Sequence, residues 1–107
     1  MRPPLFLGLA ALWLGGCGSL ELVAPPVTVA LAAAARADVG ELEHGRLIYT
    51  TRCTACHNAE RIGRYSRTEW MEILERMAPE ARLNLAQERA LRSYVLALAQ
   101  SPSPTAQ

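Results

Sequence analysis

The run Cys53-Thr54-Ala55-Cys56-His57 narrows what this chain can become more than any other feature. It places two thiols and an imidazole on a single turn of backbone. A random arrangement of a chain with three cysteines and two histidines yields this pattern in only about 0.2% of shuffles. Three other chemistries use such a cluster. A zinc site needs four ligands, and the remaining candidates are only His44 and Cys17. A thioredoxin-like pair needs a preceding strand and a central sheet, and no alternating strand pattern is visible. The third is a structural disulfide.

The pattern is instead the c-type haem attachment signal. Two thiols at this spacing add across the two vinyl groups of a porphyrin, and the adjacent imidazole is held under the iron as an axial ligand. Cys53, Cys56 and His57 are the expected attachment residues, with His57 as an iron ligand and one covalent haem c as the cofactor. The rest of the chain needs such a group. Of 107 residues only six are aromatic, and Phe6 and Trp13 of these lie in the export signal described next. So short a chain has difficulty stabilising itself by side-chain burial alone. Multidomain enzymes, long barrels and multi-spanning transporters are excluded by length.

The ends of the chain read as something other than the folded domain. Met1-Arg2-Pro3-Pro4 is a short positive segment, and Leu5 to Leu14 is an apolar run of signal-peptide length. It leads into Leu14-Gly15-Gly16-Cys17, which resembles the bacterial lipobox, where a cysteine after two small residues becomes the lipidated mature N-terminus. Residues 1–16 are thus the expected lipoprotein signal peptide, and Cys17 the lipidation site. That resemblance implies an exported protein facing the periplasm from a membrane. Gly18 rather than aspartate after the cysteine favours the outer membrane. Residues 17–39, with Pro25-Pro26 and Ala32 to Ala35, suit a flexible tether. Ser101-Pro102-Ser103-Pro104-Thr105 suits a disordered tail over 101–107. The foldable domain is 40–100. Its charge names no partner. All 11 basic residues are arginine, against 10 acidic ones, and losing Arg2 with the signal leaves the two balanced, so nucleic acid is not an expected ligand.

Periodicity predicts an all-α domain of about three helices. The first runs from Val39 to Cys53, with Leu42, Gly45, Ile48 and Tyr49 on one face. The second opens at Ser66, with Glu69 positioned for a capping box, and carries Trp70, Ile73, Leu74 and Met77 until Pro79 ends it. The third follows Asn84 and Gln87, with Leu91, Tyr94, Val95 and Leu98 as its stripe.

Gly45-Arg46-Leu47-Ile48-Tyr49 ahead of the cysteines and Leu91-Arg92-Ser93-Tyr94-Val95 near the end resemble the class I cytochrome c pattern. In that family an N-terminal helix with a glycine and an aromatic crosses a C-terminal helix with an aromatic. The resemblance spans residues 40–100. It implies a cytochrome c-like bundle wrapped around the haem, with Gly45 permitting close approach and Tyr94 packing into the crossing with Tyr49. The segment Trp70 to Met77 is similar to small bacterial cytochromes in which the last residue of an Arg-Met pair binds iron. The chain departs from larger class I members, whose ligand methionine lies much farther from the attachment histidine.

Helical geometry agrees on the second axial ligand. With Trp70 at zero and about 100° per residue, Met77 falls near −20°, central on the apolar face, and Met71 near +100°, at its edge. His44 lies about 100° around its helix from Gly45. Met77 is therefore the expected second iron ligand. Arg61, and less so Arg64 and Tyr65, are candidates for pairing with haem propionates. Trp70 is expected to pack on the porphyrin. Nothing pairs a nucleophile with a base, so the expected role is single-electron transfer rather than independent catalysis. The expected partners are redox proteins, a periplasmic dehydrogenase or a terminal oxidase or reductase, with the chain a possible electron-accepting subunit of the former. The alternatives are a haem-based sensor or gas-binding module whose sixth ligand is open or displaceable, and a haem-free thiol oxidoreductase.

Overall fold

The structure, a computed structural model, describes residues 23–55 and 58–99. Cys17, Cys56 and His57, the signal and the C-terminal tail lie outside the described residues. Four α-helices and two short 3-10 turns make up the described part, with no strand among them: α1 Val29–Ala35, α2 Val39–Thr51, α3 Arg67–Glu80 and α4 Leu85–Ala99, with turns at Cys53–Ala55 and Ile62–Arg64. The all-α expectation holds for these residues.

Each helix starts where its sequence supplies an acceptor for the first N–H groups. Thr28 Oγ1 accepts from Leu31 N at 3.0 Å, and Asp38 Oδ2 accepts from Glu41 N at 3.1 Å. At α3 the expected box forms in both directions: Glu69 N donates to Ser66 Oγ, and Ser66 N donates to Glu69 Oε2. Asn84 and Gln87 make the same reciprocal pair at 2.8 and 2.9 Å.

Two boundaries differ from the sequence expectation. The first long helix stops at Thr51, and Cys53 begins a separate 3-10 turn. Pro79 lies inside α3, which continues to Glu80. In the last turn a proline costs one backbone bond but still suits the helical φ. The stop comes instead from Arg82, in the left-handed region at φ 55°. There Arg82 N donates to Pro79 O and Leu83 N to Ala78 O, which closes a Schellman motif.

The core is centred on the crossing of α2 and α4. Leu42, Gly45, Ile48 and Tyr49 of α2 are buried, as are Ala90, Leu91, Tyr94 and Val95 of α4. Gly45 makes the contact possible. A Cβ built on it would lie 2.0 Å from Ala90 O and 2.6 Å from Tyr94 Cβ, so only a residue without a side chain lets the backbones approach this closely. Helix α3 inserts Trp70, Leu74 and Ala78, with the Trp70 ring edge-on to Tyr49 at 6.1 Å between centroids.

The packed chain begins earlier than Gly40. Residues 23–39, expected as tether, contain α1, and Ala24 is fully buried. The Ala24 carbonyl accepts from Arg46 Nε at 3.1 Å, and the Pro25 carbonyl accepts from the Tyr94 hydroxyl at 2.6 Å. This strap lies across α2 and α4. Composition did not reveal it because its polar contacts use backbone carbonyls, which every residue type carries.

Candidate functional site

A cavity of about 400 Å³ opens between the end of α2, the loop that follows it and α3. That volume falls within the range of small-molecule and cofactor sites, roughly 300–1,000 Å³. One wall is Tyr49 and Cys53, the latter 4% exposed. The opposite wall is one stripe of α3, with Trp70, Ile73, Met77 and Glu80 at the spacing of a single helical face. Ala59, Glu60 and Tyr65 close it from the loop, and Arg76 adds a cation beside Met77.

The first thiol of the attachment motif and the Met77 side chain thus line the same space. Cys56 and His57 lie outside the described residues, in the connection between Cys53 and Ala59, which both line the cavity. The other candidate ligands are elsewhere. Met71 is 45% exposed, and His44 lines a different cleft on the far side of α2.

Trp70 is 1% exposed and donates its indole N–H to Ile62 O at 2.6 Å. With that donor engaged, the indole N–H is not free to bond a group in the cavity. Tyr65 stands edge-on to it, 5.4 Å between centroids. The Tyr49 hydroxyl donates to Glu60 O, which holds the loop against α2. Burial, the main cause, pushes the Tyr49 pKa well above the ordinary phenol value, and the neighbouring Cys53 and Glu60 push it the same way.

The structure does not bring Arg61 to the cavity. Its residue is exposed, at the start of the Ile62–Arg64 turn, and it is not among the lining residues. Arg64 pairs with Glu60 at 3.0 Å and sits over the Tyr65 ring. The arginine that does line the cavity is Arg76. The sequence carried that signal, since Arg76 stands three residues after Ile73 on the same helical stripe. In the loop no period orients a side chain, which is why Arg61 could not be placed.

The lining brings together a buried thiol, a thioether opposite it, aromatic walls and a charged edge of Glu60, Arg76 and Glu80, the kinds of group that a covalently held porphyrin would need. A larger cleft of about 600 Å³ between α1, the start of α3 and α4 is lined by Arg36, Arg67, Arg89 and Arg92 with Glu41 and Glu88, and offers neither thiol nor thioether. Comparison with protein-family models, with curated proteins and with solved structures gives no match.

Proposed function

We propose that this chain is a small mono-haem c-type cytochrome that carries single electrons, exported and held to a membrane by lipid on Cys17. The observation that carries the reading is that Cys53, the first residue of a complete attachment motif, and Met77, the best-placed thioether, line one cavity. Haem supplies a one-electron Fe(II)/Fe(III) couple when bound.

This chain's residues have distinct tasks. Cys53 and Cys56 would hold the group covalently, and His57 and Met77 would bind its iron. Trp70, Ile73, Tyr49 and Tyr65 form the apolar surround that keeps water away, a determinant of potential. Arg76 places a fixed positive charge at the edge, where carboxylates are best met by a guanidinium. The partners in this reading are redox proteins of the periplasm or the membrane. The outer membrane is the favoured location, and the chain is no independent enzyme.

The test starts with the mass of the protein purified from a cell competent in haem attachment, which should exceed the chain by one haem. Met77→Ala should keep that mass, because both cysteines remain. Its iron should turn high-spin and bind carbon monoxide, and its potential should fall with loss of the thioether. Met71→Ala should leave the spectrum unchanged. A wild type that already binds carbon monoxide, with Met77→Ala spectrally silent, moves the function to a gas-binding sensor. A protein without covalent haem removes the reading altogether.

A further inference from the structure

Given the lipid-anchored reading of Cys17, on which this inference rests, we propose that the domain lies with one defined face against the phospholipid surface. That face carries Pro26, Val27, His44 and Leu47, and the cavity is turned away from the membrane.

The first premise is reach. A tether running to Val39 would let the domain wander about 80 Å from its lipid, at roughly 3.6 Å per residue. The packed strap removes most of that freedom. Ala24 is fully buried, its carbonyl is held by Arg46, and the next carbonyl is held by Tyr94. Seven residue steps separate Cys17 from Ala24, which caps the separation at about 25 Å. That is about the diameter of a domain this size. The strap is therefore the part of the domain that the anchor holds within this distance, and no other part of the surface is so held.

The second premise is direction. On α2, with Tyr49 at zero and about 100° per residue, Leu47 lies near 160° and His44 near 140° in the opposite sense. Tyr49 faces Trp70 of α3 and the cavity. His44 and Leu47 instead line a separate cleft together with the strap residues Pro26 and Val27. The cavity and the strap face thus occupy opposite sides of one helix.

The third premise is surface chemistry. Leu47 is 58% exposed, and Val29, two residues beyond Val27, is 78% exposed. Glu43 in the same cleft is matched by Arg46, so the face carries no excess of negative charge to be repelled by anionic lipid. Against a bilayer these side chains would find an apolar partner that water denies them. Glu72 is exposed on α3 and lies about 200° around that helix from Trp70, whose ring meets Tyr49 of α2, so it faces away from α2.

The experiment uses the full lipid-modified, haem-loaded chain in vesicles of phosphatidylethanolamine and phosphatidylglycerol doped with a nickel-chelating lipid. A nitroxide is placed at Leu47→Cys, at Glu43→Cys as a second site on the same face, or at Glu72→Cys. Relaxation by the nickel lipid should be at least threefold stronger at 43 and 47 than at 72. Equal relaxation at all three, with a diacylglyceryl mass on Cys17, overturns the face assignment and leaves the anchor standing. Without that mass on Cys17 the anchor reading falls, and this proposal with it. Nitroxide–nitroxide broadening at 47 in vesicles lacking nickel overturns it in favour of a second copy of the chain.

Discussion

Replacing Gly45 with alanine tests the crossing of α2 and α4 by the sign of its effect. By helix propensity alone the substitution stabilises α2 by about 1 kcal/mol. The structure demands the opposite. The new Cβ would meet Ala90 O at 2.0 Å, the Ala90 carbonyl carbon at 2.7 Å and Tyr94 Cβ at 2.6 Å. None of these is the far end of a flexible side chain, so no rotamer change relieves the contact. Ordinary contact begins near 3.4 Å, so the helices must separate by about 1.4 Å. A gap of 0.5–1 Å already forfeits a quarter to a half of a dispersion contact, and here it opens around Leu42, Tyr49, Leu91 and Val95 at once. Overpacking of this kind costs roughly 1–3 kcal/mol, and a backbone clash belongs at the top of that range. After the propensity gain the net loss is about 2 kcal/mol. For a domain of 60–100 residues that lowers Tm by roughly 8–16 °C. Thermal unfolding followed by circular dichroism on purified Gly45→Ala and wild type measures it. An unchanged or raised Tm would refute the close approach of the two helices.

Two further outcomes follow from the site and the core. Cys53→Ala with Cys56→Ala should give a chain that accumulates poorly and lacks a cooperative thermal transition, because so small a domain cannot easily form a stable core without the porphyrin's apolar area; a transition at the wild-type temperature contradicts it. In alkali, burial holds the Tyr94 phenol neutral up to about 12, while the unfolded chain releases that proton near 10. Stability from this group is therefore complete below about pH 10 and lost as pH rises towards 12, and Tyr94→Phe should lessen the fall in urea midpoint over that window. A wild-type midpoint that stays flat there contradicts the assignment.

What the sequence made legible was whatever a helical period orients. The period placed Gly45 and Tyr94 each in an apolar stripe, but it was the resemblance to the class I cytochrome c pattern that put them at one crossing; by itself a glycine in such a stripe reads as a weak point of the helix. Met77 could be separated from Met71 by angle alone, and the structure places the first at the cavity and the second in solvent. Features outside a period were not legible. Helix α1 is seven residues long and four of them are the consecutive alanines 32–35, too short and too uniform to show an amphipathic pattern, so its segment looked like tether. The strap is held by the carbonyls of Ala24 and Pro25, and no side-chain pattern announces a backbone acceptor. Arg61 was a candidate because it stands near the attachment motif in sequence, and proximity in a loop does not fix direction; the arginine that lines the cavity, Arg76, stands on the α3 stripe.

Tyr49 shows why fold and candidate site cannot be perturbed separately. Its ring lies 6.4 Å from that of Tyr94 at the helix crossing and 6.1 Å from that of Trp70 at the cavity wall. Its hydroxyl donates to the Glu60 carbonyl in the loop that follows the attachment motif. One side chain therefore touches the α2–α4 crossing, the α3 wall that carries Met77, and the chain just beyond residues 56 and 57. Separating α2 from α4 at Gly45 must move Tyr49, and with it either the ring contact to Trp70 or the bond that holds Glu60. A packed core transmits such displacements because it has no spare volume to absorb them. The glycine at the crossing thus acts on the cavity through one aromatic residue, although no atom of Gly45 lines it.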